Sequence, residues 1–180
     1  ENAVKMASTG FFSSFFFGLV ILVLGEMFLT PLSVELGSTA TILPYTEDYM
    51  RVILLGAPLL TSSLTLNNQM RLQGNANLAM YGIVTGAVLN VLLDPLLIFT
   101  CGMGVGGAAW ATVIGQAVSF FILFLMTRRK ENIAIHFRNF SPSLQAYKEI
   151  FYGGSPSLMR QGLACVATLS LNVAAGVYGD

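Results

Sequence analysis

Apolar positions in this chain come in long, nearly unbroken runs rather than in stripes. Five stretches, at about 6–29, 49–66, 78–100, 106–127 and 150–177, are apolar on almost every side. That is the pattern of helices whose whole surface lies out of water. Each approaches the ~20 residues needed to cross the hydrocarbon core of a bilayer, so the pattern predicts five membrane-spanning α-helices. Polar punctuation separates them: Pro31 and Gly37 after the first, residues 73–77 after the second, the glycine-rich 101–107 after the third, and a charged segment after the fourth. The fifth run is weakened near its start by Gly153, Gly154 and Pro156, where a bend is expected.

Composition supports this picture. The chain has 180 residues, 54% of them hydrophobic and only 10% charged, with a mean hydropathy of +0.70. A soluble domain carries about 25% charged residues. The class expected is an integral membrane protein of all-α type, a polytopic helix bundle. Formal net charge is zero, which argues against nucleic acid as a partner. The two cysteines, Cys101 in a turn and Cys165 in an apolar run, imply no disulfide framework. His136 is the only histidine, so no His/Cys cluster points to a bound metal or cofactor. No signal-peptide pattern is visible. The chain starts at Glu1 without a methionine and stops just after an apolar run, and so reads as a piece of a longer polypeptide. The rest of that polypeptide and the lipid bilayer are its expected partners.

Basic residues set the orientation. Lys5 precedes the first run, and the next connection carries Glu35, Glu47 and Asp48 but no Lys or Arg before Arg51. The second connection has Arg71, the third no charge, and the last Arg128, Arg129, Lys130, Arg138 and Lys148. This alternation places Lys5, Arg71 and the 128–148 connection in the cytoplasm of, by expectation, a prokaryotic cell. Arg128, Arg129 and Lys130 read as a topology anchor. The expected organisation is four helices of one lobe in 1–127, a cytoplasmic linker in 128–149, and the first helix of a second lobe in 150–180.

Candidate chemistry concentrates in the hairpin of the third and fourth runs. Asp94 sits deep in Asn90-Val-Leu-Leu-Asp94-Pro95-Leu-Leu-Ile-Phe99. An ionisable side chain in a membrane span costs roughly 2.5–3.5 kcal/mol on insertion scales and marks a functional site by default. With Met103 as the middle of the turn, Asp94 lies level with Thr112, and Asn90 level with Gln116. Within each helix the two partners are four apart and share a face. Two polar rungs are therefore expected across one interface. Pro95 removes a backbone hydrogen bond, frees the carbonyl of Val91 and should kink the helix. Asp, Asn, Thr, Gln and a loose carbonyl form an oxygen-rich set suited to a proton or Na⁺ rather than a soft metal. The bland reading is that these groups only tie two helices together.

Glu26 and Arg51 lie equally far from the middle of the first hairpin, and Glu47 lies one helical turn before Arg51. They read as an ion-pair cluster at the outer interface, with a gate or a substrate-binding carboxylate as the alternative. Pro58 should kink the second helix near the carbonyl of Leu54. Asn67, Asn68 and Gln69 read as capping or interfacial groups. Phe11, Phe12, Phe15, Phe16 and Phe17 read as packing or lipid-facing. Gly82 and Gly86 form a small-xxx-small pair for close helix approach. Gln161 and Asn172 are candidates to face a central cavity.

The strings NVLLDPLLIF, GMGVGGAAWATVIGQ, NNQMRLQGNANLAM and GGSPSLMRQGLACVATLSLNVAAGVYGD together resemble the multidrug and toxic compound extrusion (MATE) family of cation-coupled antiporters. The resemblance runs nearly end to end and covers helices three to seven of twelve. It implies two six-helix lobes around a central cavity, alternating between outward- and inward-facing states. It also implies that Asn90, Asp94 and Thr112 belong to the cation site of the first lobe. A glutamate found on the seventh helix of some members has Arg160 and Gln161 in its neighbourhood here.

The function expected is a secondary transporter of the cytoplasmic membrane, exchanging H⁺ or Na⁺ for an organic, often cationic, small molecule. A flippase for lipid-linked saccharides is the nearest rival, mildly disfavoured because basic residues stay in connections apart from Arg51 and Arg160. An intramembrane enzyme lacks a nucleophile–base pair at membrane depth, and an ATP-driven pump lacks a phosphate-binding loop.

Overall fold

The structure is a computed structural model that describes residues 2–128, 135 and 144–176. Arg129, Lys130, His136 and Arg138 lie outside the described residues. Seven α-helices follow in order: α1 (Asn2–Met27), α2 (Leu29–Glu35), α3 (Leu43–Leu55), α4 (Ala57–Leu72), α5 (Ala76–Pro95), α6 (Gly104–Thr127) and α7 (Leu144–Gly176). A π-helical turn, Leu96–Thr100, extends α5. No strand occurs among the described residues.

Three helices, α1, α5 with its π turn, and α6, are long and apolar enough to cross a membrane, and α3 with α4 makes a fourth if the bent pair is one span. The second span thus runs wider than the expected 49–66, and it is broken. Its halves meet at 53°. The expected kink is present: the break falls at Gly56, between the Leu54 carbonyl and Pro58. Pro58 occupies the first turn of α4, where its missing N–H would be unpaired anyway. A departure concerns Pro31, which was expected in a turn. It sits early in the short helix α2, where proline is tolerated for the same reason.

The helix α7 continues through Pro156 without a break. The N–H that Pro156 lacks would have bonded the carbonyl of Tyr152, and Ser155 Oγ donates to that carbonyl instead at 3.0 Å. The fifth run is helical, but α7 is not among the helices apolar enough to count as a span. Arg160, Gln161 and Asn172 dilute its apolar character.

Packing is most extensive between α5 and α6 and between α1 and α4, and contacts of α4 with both α5 and α6 join the two pairs. Small residues set these approaches. A Cβ on Gly18 would lie 2.5 Å from the backbone of Pro58, and one on Gly82 2.5 Å from Leu123. Side-chain bonds to backbone reinforce them: Thr61 Oγ1 donates to Ser14 O at 2.9 Å, Gln69 Nε2 to Ala7 O at 2.8 Å, and Asn67 Nδ2 to Ala79 O at 2.9 Å. Asn67 and Gln69 therefore tie helices together rather than cap one. The apolar core gathers Phe11, Leu66, Met70, Ala79, Phe120 and Leu123 near the end that holds the α4–α5 turn. Phe11 stacks there on Phe120 and Phe124, and the Arg128 guanidinium lies 5.2 Å over the Phe124 ring.

Elsewhere the usual sorting of a water-soluble fold is inverted. Phe16, Phe17 and Phe99 are exposed, whereas Ser8, Thr9, Ser33 and Ser62 are fully buried. The helix α7 touches α1 alone among the described helices. Ser13 and Tyr147 hydroxyls meet at 2.9 Å, and Asn172 lies near Gly37 beyond the far end of α1, so α7 runs alongside α1 in the same direction.

Candidate functional site

The α5–α6 hairpin brings its polar residues together because its backbones meet. A Cβ on Gly86 would lie 2.7 Å from Gly115 O, and a Cβ on Gly115 would lie 2.7 Å from Gly86 O. One turn on from Gly86, Asn90 Nδ2 donates to Thr112 Oγ1 at 3.2 Å. Thr112 spends its own proton on Ala108 O at 3.0 Å, which leaves its lone pairs free to accept from Asn90. The hydroxyl orientation is thus fixed by its helix, and the amide across the interface is fixed by the hydroxyl.

Level pairing about Met103 holds closely along the hairpin, with Gly82 against Leu123, Gly86 against Ser119 and Gly107 against Ile98; the polar bond is a diagonal one, from Asn90 to Thr112, and Asp94 has no hydrogen bond to Thr112. A π turn lies between these residues and the connection. Cys101 N bonds Leu96 O at 3.0 Å and Met103 N bonds Leu97 O at 3.2 Å. These wide turns put more residues into less rise, so the end of α5 sits closer to the connection than an α-helical count allows. Pro95 starts the irregularity. Leu96 N reaches back to Leu93 O, one residue short of an α-helical bond, and the backbone then widens.

Asp94 lies one turn beyond Asn90 on the same face and is half-buried. Its Oδ1 is buried with no hydrogen-bond partner. A buried polar atom without a partner costs about 1–3 kcal/mol, more when charged. Such an oxygen is a place that a proton or an oxygen-seeking cation would fill, and the neighbouring donor set of amide and hydroxyl oxygens suits H⁺ or Na⁺.

Asn90, Thr112 and Gln116 also line a groove of about 300 Å³ between α4, α5 and α6. Its apolar wall includes Leu60, Leu64 and Ile83, and Ser63 and Ser119 add hydroxyls. These serines were not singled out in the sequence. Ser119 stands three residues after Gln116, on the same helical face, and that spacing was the available signal. Gln116 Oε1 is buried without a partner and points at Gly56, where a Cβ would stand 3.1 Å from it.

The outer ion pair forms between α1 and α3. Arg51 Nε lies 3.7 Å from Glu26 Oε2, with the Arg51 side chain 62% exposed. Glu26 Oε1 is buried without a partner. Glu47 does not join Arg51; it accepts from Thr30 Oγ1 at 2.6 Å. Gln161 and Asn172 are exposed on α7, apart from the hairpin residues.

Comparison with known proteins places this geometry in a family. The MatE family model matches residues 1–96. The multidrug export protein MepA of Staphylococcus haemolyticus is 29% identical over 177 residues, which are 97% of this chain and 39% of that protein. The chain thus spans about two fifths of the curated relative's length. Among solved structures, an outward-facing multidrug resistance MATE family transporter of the MOP superfamily aligns with a TM-score of 0.81 at 32% identity, covering 91% of this chain and 37% of that one. An inward-facing one aligns with a TM-score of 0.78 at 30% identity, covering 93% and 37%.

Proposed function

The chain belongs to the MatE family, and we propose that it supplies most of the cation-coupling half of an antiporter that exports organic, often cationic, compounds in exchange for H⁺ or Na⁺. It is a transporter chain rather than an enzyme. In this reading Asp94 takes the coupling ion, with Asn90 and Thr112 as neighbouring ligands. The observation that carries it is the buried, unpartnered Asp94 Oδ1 one turn from the Asn90–Thr112 bond, at the point where Pro95 converts an α-helix into a π turn.

The mechanism follows from charge and backbone together. An empty site leaves a carboxylate oxygen uncompensated in a low-dielectric interface. Ion entry neutralises it and draws Asn90 and Thr112 to the ion. The adjoining π turn has unshared backbone capacity and can repack at little cost. The two states of the hairpin then differ in ion affinity, and only that difference can drive the lobe from one to the other. Lys5, Arg71 and the segment 128–149 face the cytoplasm in this arrangement, with 1–127 as part of one lobe and 150–180 opening the next.

The test is export of a cationic dye by cells carrying the full-length protein with Asp94→Asn. Loss of pH- or Na⁺-dependent export with the protein still in the membrane is expected. Export with its ion dependence intact would reject the role of Asp94.

A further inference from the structure

The two halves of the broken span meet at a glycine that its own backbone does not require. Gly56 has φ −79° and ψ −11°, a right-handed conformation open to any L-residue. Space is what excludes a side chain. A Cβ there would lie 3.0 Å from Val113 Cγ2, 3.1 Å from Gln116 Oε1 and 3.2 Å from Ile53 O. The notch left by the missing side chain is filled from α6 by a carbonyl oxygen that is itself buried and unpartnered.

Gln116 is also one turn from Thr112, the acceptor of the Asn90 bond, and shares the groove with both. Gln116 therefore reaches the hinge of α3–α4 at its tip and stands one helical turn from the polar rung at its base. Its oxygen lacks a donor where it stands. A cation held at the rung, or the water that accompanies it, would give that oxygen a partner on the other side of the notch.

We propose that Gln116 is a positioning residue that transmits occupancy of the Asn90–Asp94–Thr112 site to the bend at Gly56. When the ion binds, Gln116 Oε1 leaves the notch and the angle between α3 and α4 changes. When the ion leaves, the carbonyl returns and resets the bend. The inference rests on the cation-site reading above. It adds a mechanical link from that site to a span, α3–α4, that supplies none of its ligands.

The experiment uses the full-length transporter in nanodiscs, with Cys101 and Cys165 replaced by serine and spin labels at positions 45 and 72. Tyr45 on α3 and Leu72 at the end of α4 are exposed and lie outside the groove. Complete straightening of the pair would lengthen it by about 4 Å at the helical rise of ~1.5 Å per residue. Addition of Na⁺, or of acid, should shift the distance in the otherwise unaltered protein. Gln116→Met, which keeps volume but loses the oxygen, should abolish the shift while calorimetry still detects cation binding. Gly56→Ala should abolish it too, with every hydrogen-bonding group retained and no backbone strain introduced. A shift equal to that of the unaltered protein in both variants overturns the proposal, as does the lack of any shift in the unaltered protein. Unchanged cation binding in Asp94→Asn would instead sink the cation-site reading on which it stands.

Discussion

Gly86 and Gly115 are in backbone contact across the α5–α6 interface, each placed so that a Cβ on one would lie 2.7 Å from the carbonyl oxygen of the other. This approach sets the reach of Asn90 to Thr112. Alanine at either glycine should force the helices apart and cost about 1–3 kcal/mol, as overpacking does. The expected result is a lower melting temperature for Gly86→Ala in detergent, with a still lower one for Gly86→Leu. Equal stability of Gly86→Ala and the parent would show that the interface is looser than described.

Thr112→Val removes an acceptor that Asn90 relies on but keeps shape. Interhelical polar bonds in membranes are worth about 0.6–1.7 kcal/mol, so the protein should stay folded with a modest loss of stability. Cation affinity, measured by calorimetry, should fall by more than that loss of stability accounts for. Parallel loss of both would favour a purely structural bond.

Pro95→Ala restores a backbone donor facing Val91 O. The helix α5 should extend by regular α-helical bonds in place of the π turn, since proline in a helix interior costs ~3 kcal/mol. Thermal stability should rise and ion-driven export should fall. A rise in both would separate the π turn from transport.

Glu26 and Arg51 form a long, half-exposed pair at 3.7 Å. Exposed pairs are worth about 0.2–1 kcal/mol and weaken with salt. A double-mutant cycle with Glu26→Gln and Arg51→Gln should give a coupling energy inside that range, diminishing at high ionic strength. A much larger, salt-insensitive value would mean that the buried Glu26 Oε1 takes part.

Asn67→Leu removes a bond from α4 to Ala79 O on α5. It should lower stability by about 0.6–1.7 kcal/mol without altering the ion dependence of export. A changed ion dependence would tie the core end of the bundle to coupling.

Run length carried most of the fold. The spans at α1, α5 and α6 are legible because a membrane helix must be apolar all round, a signal that survives without knowledge of neighbours. Prolines were harder to read. Pro31 sits early in a helix, Pro58 stands just after the 53° break that divides its span, Pro156 lies inside a continuous helix with Ser155 covering the freed carbonyl, and Pro95 ends its α-helix in a π turn. The outcome in each case depends on which groups surround the missing donor. The hairpin residues were visible by type and spacing, but not the bond that joins them. The depth count sets the two helices against each other correctly, as Gly82 facing Leu123 and Gly86 facing Ser119 show, but it cannot tell that Asn90 reaches Thr112 on a diagonal. The notch at Gly56 left no trace in the pattern, because the glycine answers to side chains sixty residues away.

The buried serines and threonines and the outward-facing phenylalanines carry a consequence for how this chain tolerates change. Phe16, Phe17 and Phe99 are exposed among the described residues, and a loose neighbour refills whatever contour it meets, so bulk there can be exchanged for other bulk with little penalty to the packing of these helices. The small positions have no such forgiving neighbour. In a saturating mutational scan, the sites most resistant to replacement should be the smallest residues rather than the largest, the reverse of what a water-soluble fold of the same size would give.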